Sequence, residues 1–163
     1  MLKFLTFSAA LLGAVLPQAV RADDRALVES FYSQVVNAAG SADLAQRVER
    51  VLAPNWESVG DYTGRNKSRA EFVAQLGNFA MILPDLRWEV VEILRDGDRY
   101  VVRGRARATP VRNFFGVEPS GKGFDIMSID IHTVSDGRIV QSHHIEDWAA
   151  ALRQLRVPTQ SGR

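Results

Sequence analysis

The sequence predicts an α+β fold: three N-terminal helices packed in a curved antiparallel sheet, with the shape of a cone and a C-terminal helix closing it. Three observations carry this reading. Apolar residues recur at helical spacing as far as Leu83 and at a spacing of two from Leu86 onward. Two Asp-Gly steps, Asp96-Gly97 and Asp136-Gly137, interrupt the second half as hairpin turns do. Helices first and strands afterwards is the α+β order, and 163 residues suffice for one core.

The first 22 residues are read separately. Lys3 supplies a positive charge, Phe4 to Leu16 is an apolar run, and Pro17 is followed by "AVRA". This is the layout of a secretory leader with cleavage after Ala22, and the run is too short to span a bilayer. A single domain over residues 23–163 and a periplasmic or secreted location follow as expectations. Without residues 1–22, 18 basic residues face 19 acidic ones, a net charge of −1. That balance gives no electrostatic support to a nucleic-acid partner, and no integral membrane association is expected. There is no cysteine, so the domain must hold on its core alone, without thiol chemistry.

From Asp23, Val28, Phe31, Tyr32, Val35 and Ala39 follow one helical stripe that Gly40 ends. Ser41 can cap a second helix carrying Leu44, Val48, Val51 and Leu52, which Pro54 stops. "NWESVG" reads as a short strand and "GDYTGRN" as a loop. Ser68-Arg69-Ala70-Glu71 is a capping box for a third helix with Phe72, Leu76, Phe79 and Leu83. Then Leu86, Trp88, Val90 and Glu92 alternate with their neighbours. After the first turn Tyr100, Val102, Gly104, Ala106 and Ala108 share one strand face, where their small members leave room. Two further strands meet at Asp136-Gly137, and "DWAAALRQL" closes the chain as a helix.

All three histidines lie in "SIDIHTVSDGRIVQSHHIEDW". With Ser135-Asp136-Gly137 as a bulged hairpin loop, Val134 faces Arg138, and the pairs 132 with 140 and 130 with 142 follow. Asp130, His132, Ser142, His144 and Glu146 then share one face. Ile129, Ile131, Ile139 and Ile145 share the other with His143. A plain two-residue turn would put His143 on the polar face in place of His144. The polar face is either a wetted sheet surface or a site. A His beside a carboxylate can titrate near neutrality, which suits general acid–base work. Asp130, His132, His144 and Glu146 are therefore the candidate catalytic residues, with Asp130 and His132 as the proton-handling pair. No metal site is expected, because the spacing fits no recognised ligand pattern.

The ordered set "FYSQVVN", "LAPNW", "LPDLRWEV", "GDRYVVRGRARAT", "FFGVEPSGK" and "IDIHTVSDGRIVQSHHIEDWAAALRQL" resembles the SnoaL-like polyketide cyclases, or ester cyclases, of the nuclear transport factor 2-like superfamily. The likeness covers Ala26 to Leu155. It implies a helix-closed cone and an intramolecular aldol cyclisation that uses no cofactor or metal. In that chemistry a pocket carboxylate removes a proton from carbon. The positions matching the family's pocket are Asn37, Asp130, His132 and the segment His144 to Asp147. Where the family has an aromatic residue followed by Asp on the last strand, this chain has His143-His144. The family's His ahead of the fourth strand is missing from "TPVRNFFG". Tyr32, Asn37, Trp56 and Phe115 are the candidate substrate contacts.

The resulting expectation is an exported, cofactor-independent acid/base protein acting on a small apolar, polyketide- or terpenoid-like molecule. The alternatives are a non-catalytic periplasmic binder of such a molecule and a module without a ligand. A homodimer, if one forms, is expected to use a sheet face.

Overall fold

The computed structural model describes residues 20–156. The expected leader therefore lies almost wholly outside the described residues, and the helix that starts at Val20 crosses the expected cleavage point.

Helix α1 (Val20–Ser30) runs on through a π turn (Phe31–Val35) and a short 3₁₀ turn (Val36–Ala38). The π turn widens the helix just where four of six successive residues are apolar. The Val36 N–H reaches the carbonyls of both Phe31 and Tyr32. As a result Phe31 and Tyr32, and again Val35 and Val36, are buried as neighbours, which a regular stripe would not allow.

Helix α2 (Leu44–Val51) leads directly into β1 (Leu52–Val59), so Leu52 and Pro54 belong to the strand. The two-residue β2 (Lys67–Ser68) pairs with β1 and precedes α3 (Arg69–Ile82). The capping box forms as expected: the Glu71 N–H donates to Ser68 Oγ, and the Ser68 N–H donates to Glu71 Oε2 at 2.8 Å. Strands β3 (Arg87–Asp96), β4 (Arg99–Ala108), β5 (Phe124–Ser135) and β6 (Arg138–Glu146) follow, and α4 (Trp148–Arg156) ends the described chain.

The sheet order is β2-β1-β6-β5-β4-β3. It is mixed rather than antiparallel, because β1 lies parallel to β6. The helices fill its concave side, where Val28, Val35, Val48, Leu52, Val102 and Ile139 are fully enclosed. A bulge at Val91 reverses the parity of β3. Ile93, not Glu92, therefore joins Trp88 on the inside, and Val91 is exposed.

The room expected beside Gly104 is occupied. A Cβ there would lie 2.7 Å from Trp88 Nε1 and 2.5 Å from Ser128 Oγ. The Trp88 indole N–H donates to that hydroxyl at 3.0 Å.

The β5–β6 turn has two residues, Asp136 and Gly137, both at positive φ (51° and 69°), the primed geometry that suits hairpin twist. The bulge lies further along, at Val140: Val134 pairs with Ile139, but Thr133 pairs with Gln141. The expected pairing is thus two residues out, and Asp130 faces His144 instead of Ser142. The expected faces hold nonetheless, because a two-residue turn plus one bulged residue restores the parity of a three-residue loop. Ile139, on the turn side of the bulge, is the exception and lies in the core.

The polar face is the concave, helix-facing one. The outer face carries Ile145, Met127, Leu94 and Val91 in the open, with Ile129 and Ile131 half-buried.

Candidate functional site

Strands β5 and β6 bring Asp130, His132, Ser142, His144 and Glu146 under the π turn of the first helix. Asp130, His132 and Ser142 are at most 2% exposed. The polar face is dry, so its groups must satisfy one another.

They do so in one chain of contacts. Tyr32 Oη donates to Asp130 Oδ2 at 2.8 Å. His132 Nε2 lies 2.9 Å from the same phenol oxygen, and His132 Nδ1 lies 2.7 Å from Ser142 Oγ. The Trp56 indole N–H donates to Ser142 Oγ at 3.0 Å. Counting protons fixes the tautomer. Tyr32 has one proton, given to the carboxylate, so His132 must donate to the phenol from Nε2. Its bare Nδ1 then accepts the Ser142 hydroxyl, whose oxygen accepts from Trp56. A neutral His132 satisfies every group. Burial, opposed by the Asp130 charge, pushes its pKa down to about 4.

His144 is the opposite case. Its Nδ1 contacts Asp130 Oδ1, and its Nε2 contacts Glu146 Oε1. Burial pulls its pKa down. The hydrogen bond and charge of Asp130, joined by those of Glu146, outweigh that and push it up to about 10. His144 is therefore an imidazolium between two carboxylates. For Asp130, burial acts upward, but the His144 hydrogen bond and charge, with help from Tyr32, bring its pKa below the usual carboxylate value. Burial and the Asp130 charge raise Tyr32 well above the ordinary phenol.

The expected proton-handling pair is thus corrected. His132 meets Asp130 only through Tyr32, and neither histidine titrates near neutrality. Asp130 is paired directly with His144 because the bulge at Val140 places them opposite each other.

Beside the row of Asp130, His144 and Glu146 lies a partly open cavity of about 40 Å³. It is made largely of narrow gaps between apolar walls: Phe31, Trp56, Phe72, Leu76, Phe79 and Trp88. Its polar lining includes Tyr32, Asp130, His144, Glu146, Ser142 and Lys67. Of the candidate catalytic residues, Asp130, His144 and Glu146 line it, and His132 stands behind them.

Of the candidate substrate contacts, Tyr32 and Trp56 line the cavity, and Asn37 and Phe115 do not. Asn37 accepts from the Trp88 N–H at 2.7 Å and donates to the Trp88 carbonyl at 2.8 Å, bracketing β3 as a further strand would. Phe115 is 56% exposed and packs on Phe114 and Trp148. Sequence reasoning passed over Lys67 and Trp88 as pocket residues. Lys67 had a signal, since the chain has only three lysines against 17 arginines.

The model of the SnoaL-like polyketide cyclases matches residues 26–155. The chain belongs to that family. Solved structures agree on the fold. IdmH from Streptomyces antibioticus is 27% identical, with 82% of this chain and 99% of that chain covered and a TM-score of 0.70. A SnoaL-like protein from Jannaschia sp. CCS1 is 18% identical, with 84% and 94% covered and a TM-score of 0.71. TsrD from Streptomyces laurentii is 24% identical, with 83% and 96% covered and a TM-score of 0.69. The fold is the nuclear transport factor 2-like one. No curated protein matches the chain.

Proposed function

We propose that this SnoaL-like protein is a cofactor-independent acid/base catalyst that removes an α-proton from a small apolar carbonyl compound. The observation that carries the reading is the row of a half-buried Glu146, a half-buried His144 and a buried Asp130 along the wall of an apolar cavity. Both Asp130 oxygens are committed, one to His144 and one to Tyr32, so it is the counter-charge. Glu146 has one oxygen on His144 and is the carboxylate with an oxygen left for a substrate proton. His144 holds Glu146 in place and remains cationic because Asp130 lies behind it. Apolar walls keep water from the carboxylate, which strengthens every charge interaction inside. Ring closure and isomerisation would both begin from such a proton transfer.

The test is exchange of the α-hydrogens of 2-tetralone in D2O, followed by proton NMR. A rate at least a hundredfold above buffer, lost in Glu146→Gln, is expected. Binding without exchange would make the protein a carrier, the alternative reading of the same cavity.

Export belongs to the same proposal. It rests on the charged start, short apolar run and "AVRA" ending of residues 1–22. Intact mass of protein produced in a bacterium with an export pathway should give a chain beginning at Asp23. A soluble mature chain still beginning at Met1 would refute it.

A further inference from the structure

Lys67 is held firmly in place. Its backbone pairs with Ser58 of β1, and the next residue, Ser68, closes the capping box of α3. Its side chain is half-buried and lines the cavity. Burial lowers its pKa, and the charges of Glu146 and Glu71 act the other way.

The ammonium is in no hydrogen bond or ion pair among the described residues, and of the cavity's side chains without such a partner there, Ser58 and Gln75 included, it alone carries a charge. Trp56 donates to Ser142, Trp88 to Ser128, Tyr32 to Asp130, and both His144 nitrogens face carboxylates. The chain uses arginine for 17 of its 20 basic residues, yet a lysine stands here. A lysine is a compact point charge suited to one oxygen, where arginine's planar fork suits two.

We infer that the Lys67 ammonium receives the charge that develops on the substrate's carbonyl oxygen, so that the ligand is an enolisable ketone or ester on an apolar body. This rests on the proton abstraction proposed above and adds the electrophile that it lacked. In that step the α C–H bond breaks and its proton passes to Glu146. The C–H electron pair becomes the new C=C bond, and the carbonyl π pair moves onto oxygen. One negative charge leaves Glu146 and one appears on the oxygen beside Lys67, so the total charge in the cavity is unchanged. A preplaced cation in a dry site is how such a charge is stabilised. The competing role for Lys67 is merely to balance Glu146.

Binding of 2-naphthoate and of its methyl ester separates the two roles. Glu146→Gln stands in for the base after it has taken the proton. In that background the anion should bind at least tenfold tighter than the ester. Adding Lys67→Met should abolish the preference and leave ester affinity unchanged, which also shows that the cavity is intact. Lys67→Met alone should slow 2-tetralone exchange about a hundredfold with little change in KM. A preference that survives Lys67→Met, or none in Glu146→Gln, overturns the inference. The two readings fail separately. Exchange undiminished in Lys67→Met removes Lys67 and leaves the enzyme. A Lys67-dependent naphthoate site without exchange removes the enzyme and leaves an anion-binding pocket.

Discussion

His144→Gln is the most informative single substitution, because it removes a half-buried cation from between two carboxylates. His144 has a folded pKa of about 10 against an ordinary 6.5. A raised histidine pKa contributes stability that is fully present below 6.5 and is lost as pH rises through 10. At 1.36 kcal/mol per unit the whole contribution is on the order of 5 kcal/mol, of which about 2 kcal/mol is gone by pH 8. His132 works in the other direction. Its folded pKa of about 4 means that the unfolded chain takes up the proton first. Its penalty therefore grows as pH falls from 6.5, to roughly 3 kcal/mol by pH 4. Stability should peak near pH 6.5, and the alkaline limb should belong to His144. In His144→Gln, Asp130 and Glu146 lose their shared cation. Loss of one member of a buried pair costs about 3–5 kcal/mol. At about 3 °C per kcal/mol this lowers Tm by roughly 10 °C at pH 6.5, and the alkaline slope flattens. A thermal melt at pH 6.5 measures the first, and urea denaturation at half-unit steps from pH 5 to 10 measures the second. Wild-type stability that is level from pH 6.5 to 9, or an unchanged slope in His144→Gln, would refute the charge assignment.

Other expectations are more local. Gly104→Ala drives a methyl group against Trp88 and Ser128 and should cost about 1–3 kcal/mol, visible as a lower urea midpoint and altered Trp fluorescence. His132 should show the nitrogen shifts of a neutral Nε2–H imidazole by NMR from pH 6 to 8. His132→Ala should also cost about 2–4 kcal/mol, since it orphans Tyr32 and Ser142 in the core, so its stability must be measured beside any activity loss. The outer sheet face, with Ile145 65% exposed, should pair two copies. Light scattering of wild type should give a dimer mass and Ile145→Asp a monomer, and a monomeric wild type refutes this.

The elements themselves were legible wherever one local rule decided them. The capping box at Ser68 and Glu71 and the turn at Asp136-Gly137 need only a few adjacent residues, whereas the first turn is one residue on from its expected place, at Gly97-Asp98, because Asp96 pairs with Arg99 as the last residue of β3. The π turn at Phe31, the bulges at Val91 and Val140, and the parallel pairing of β1 with β6 were not legible. Each is settled by what the opposing element accepts, and a single strand read alone has no record of its neighbour. Asn37 shows the same limit. Its two hydrogen bonds to Trp88 join residues 51 positions apart, so its role as a bracket exists only in the fold.

The bulge at Val140 shows how much of the site hangs on one such feature. Shifting β6 by one residue would exchange His144 for His143, and Ser142 and Glu146 for Gln141 and Ile145. The sequence favours one answer, because the other would bury Gln141 against the helices and move Glu146, the second carboxylate, off the concave face. Faces could therefore be inferred from which residues tolerate burial together. Partners could not, because any even shift preserves the faces. That is why His132 looked like the partner of Asp130. The true partner, His144, sits opposite it, and Tyr32 from the first helix takes the place between Asp130 and His132. The two histidines share one wall yet have opposite charge states for a single physical reason: His144 has two carboxylates to answer its charge, and His132 has a phenol and a hydroxyl.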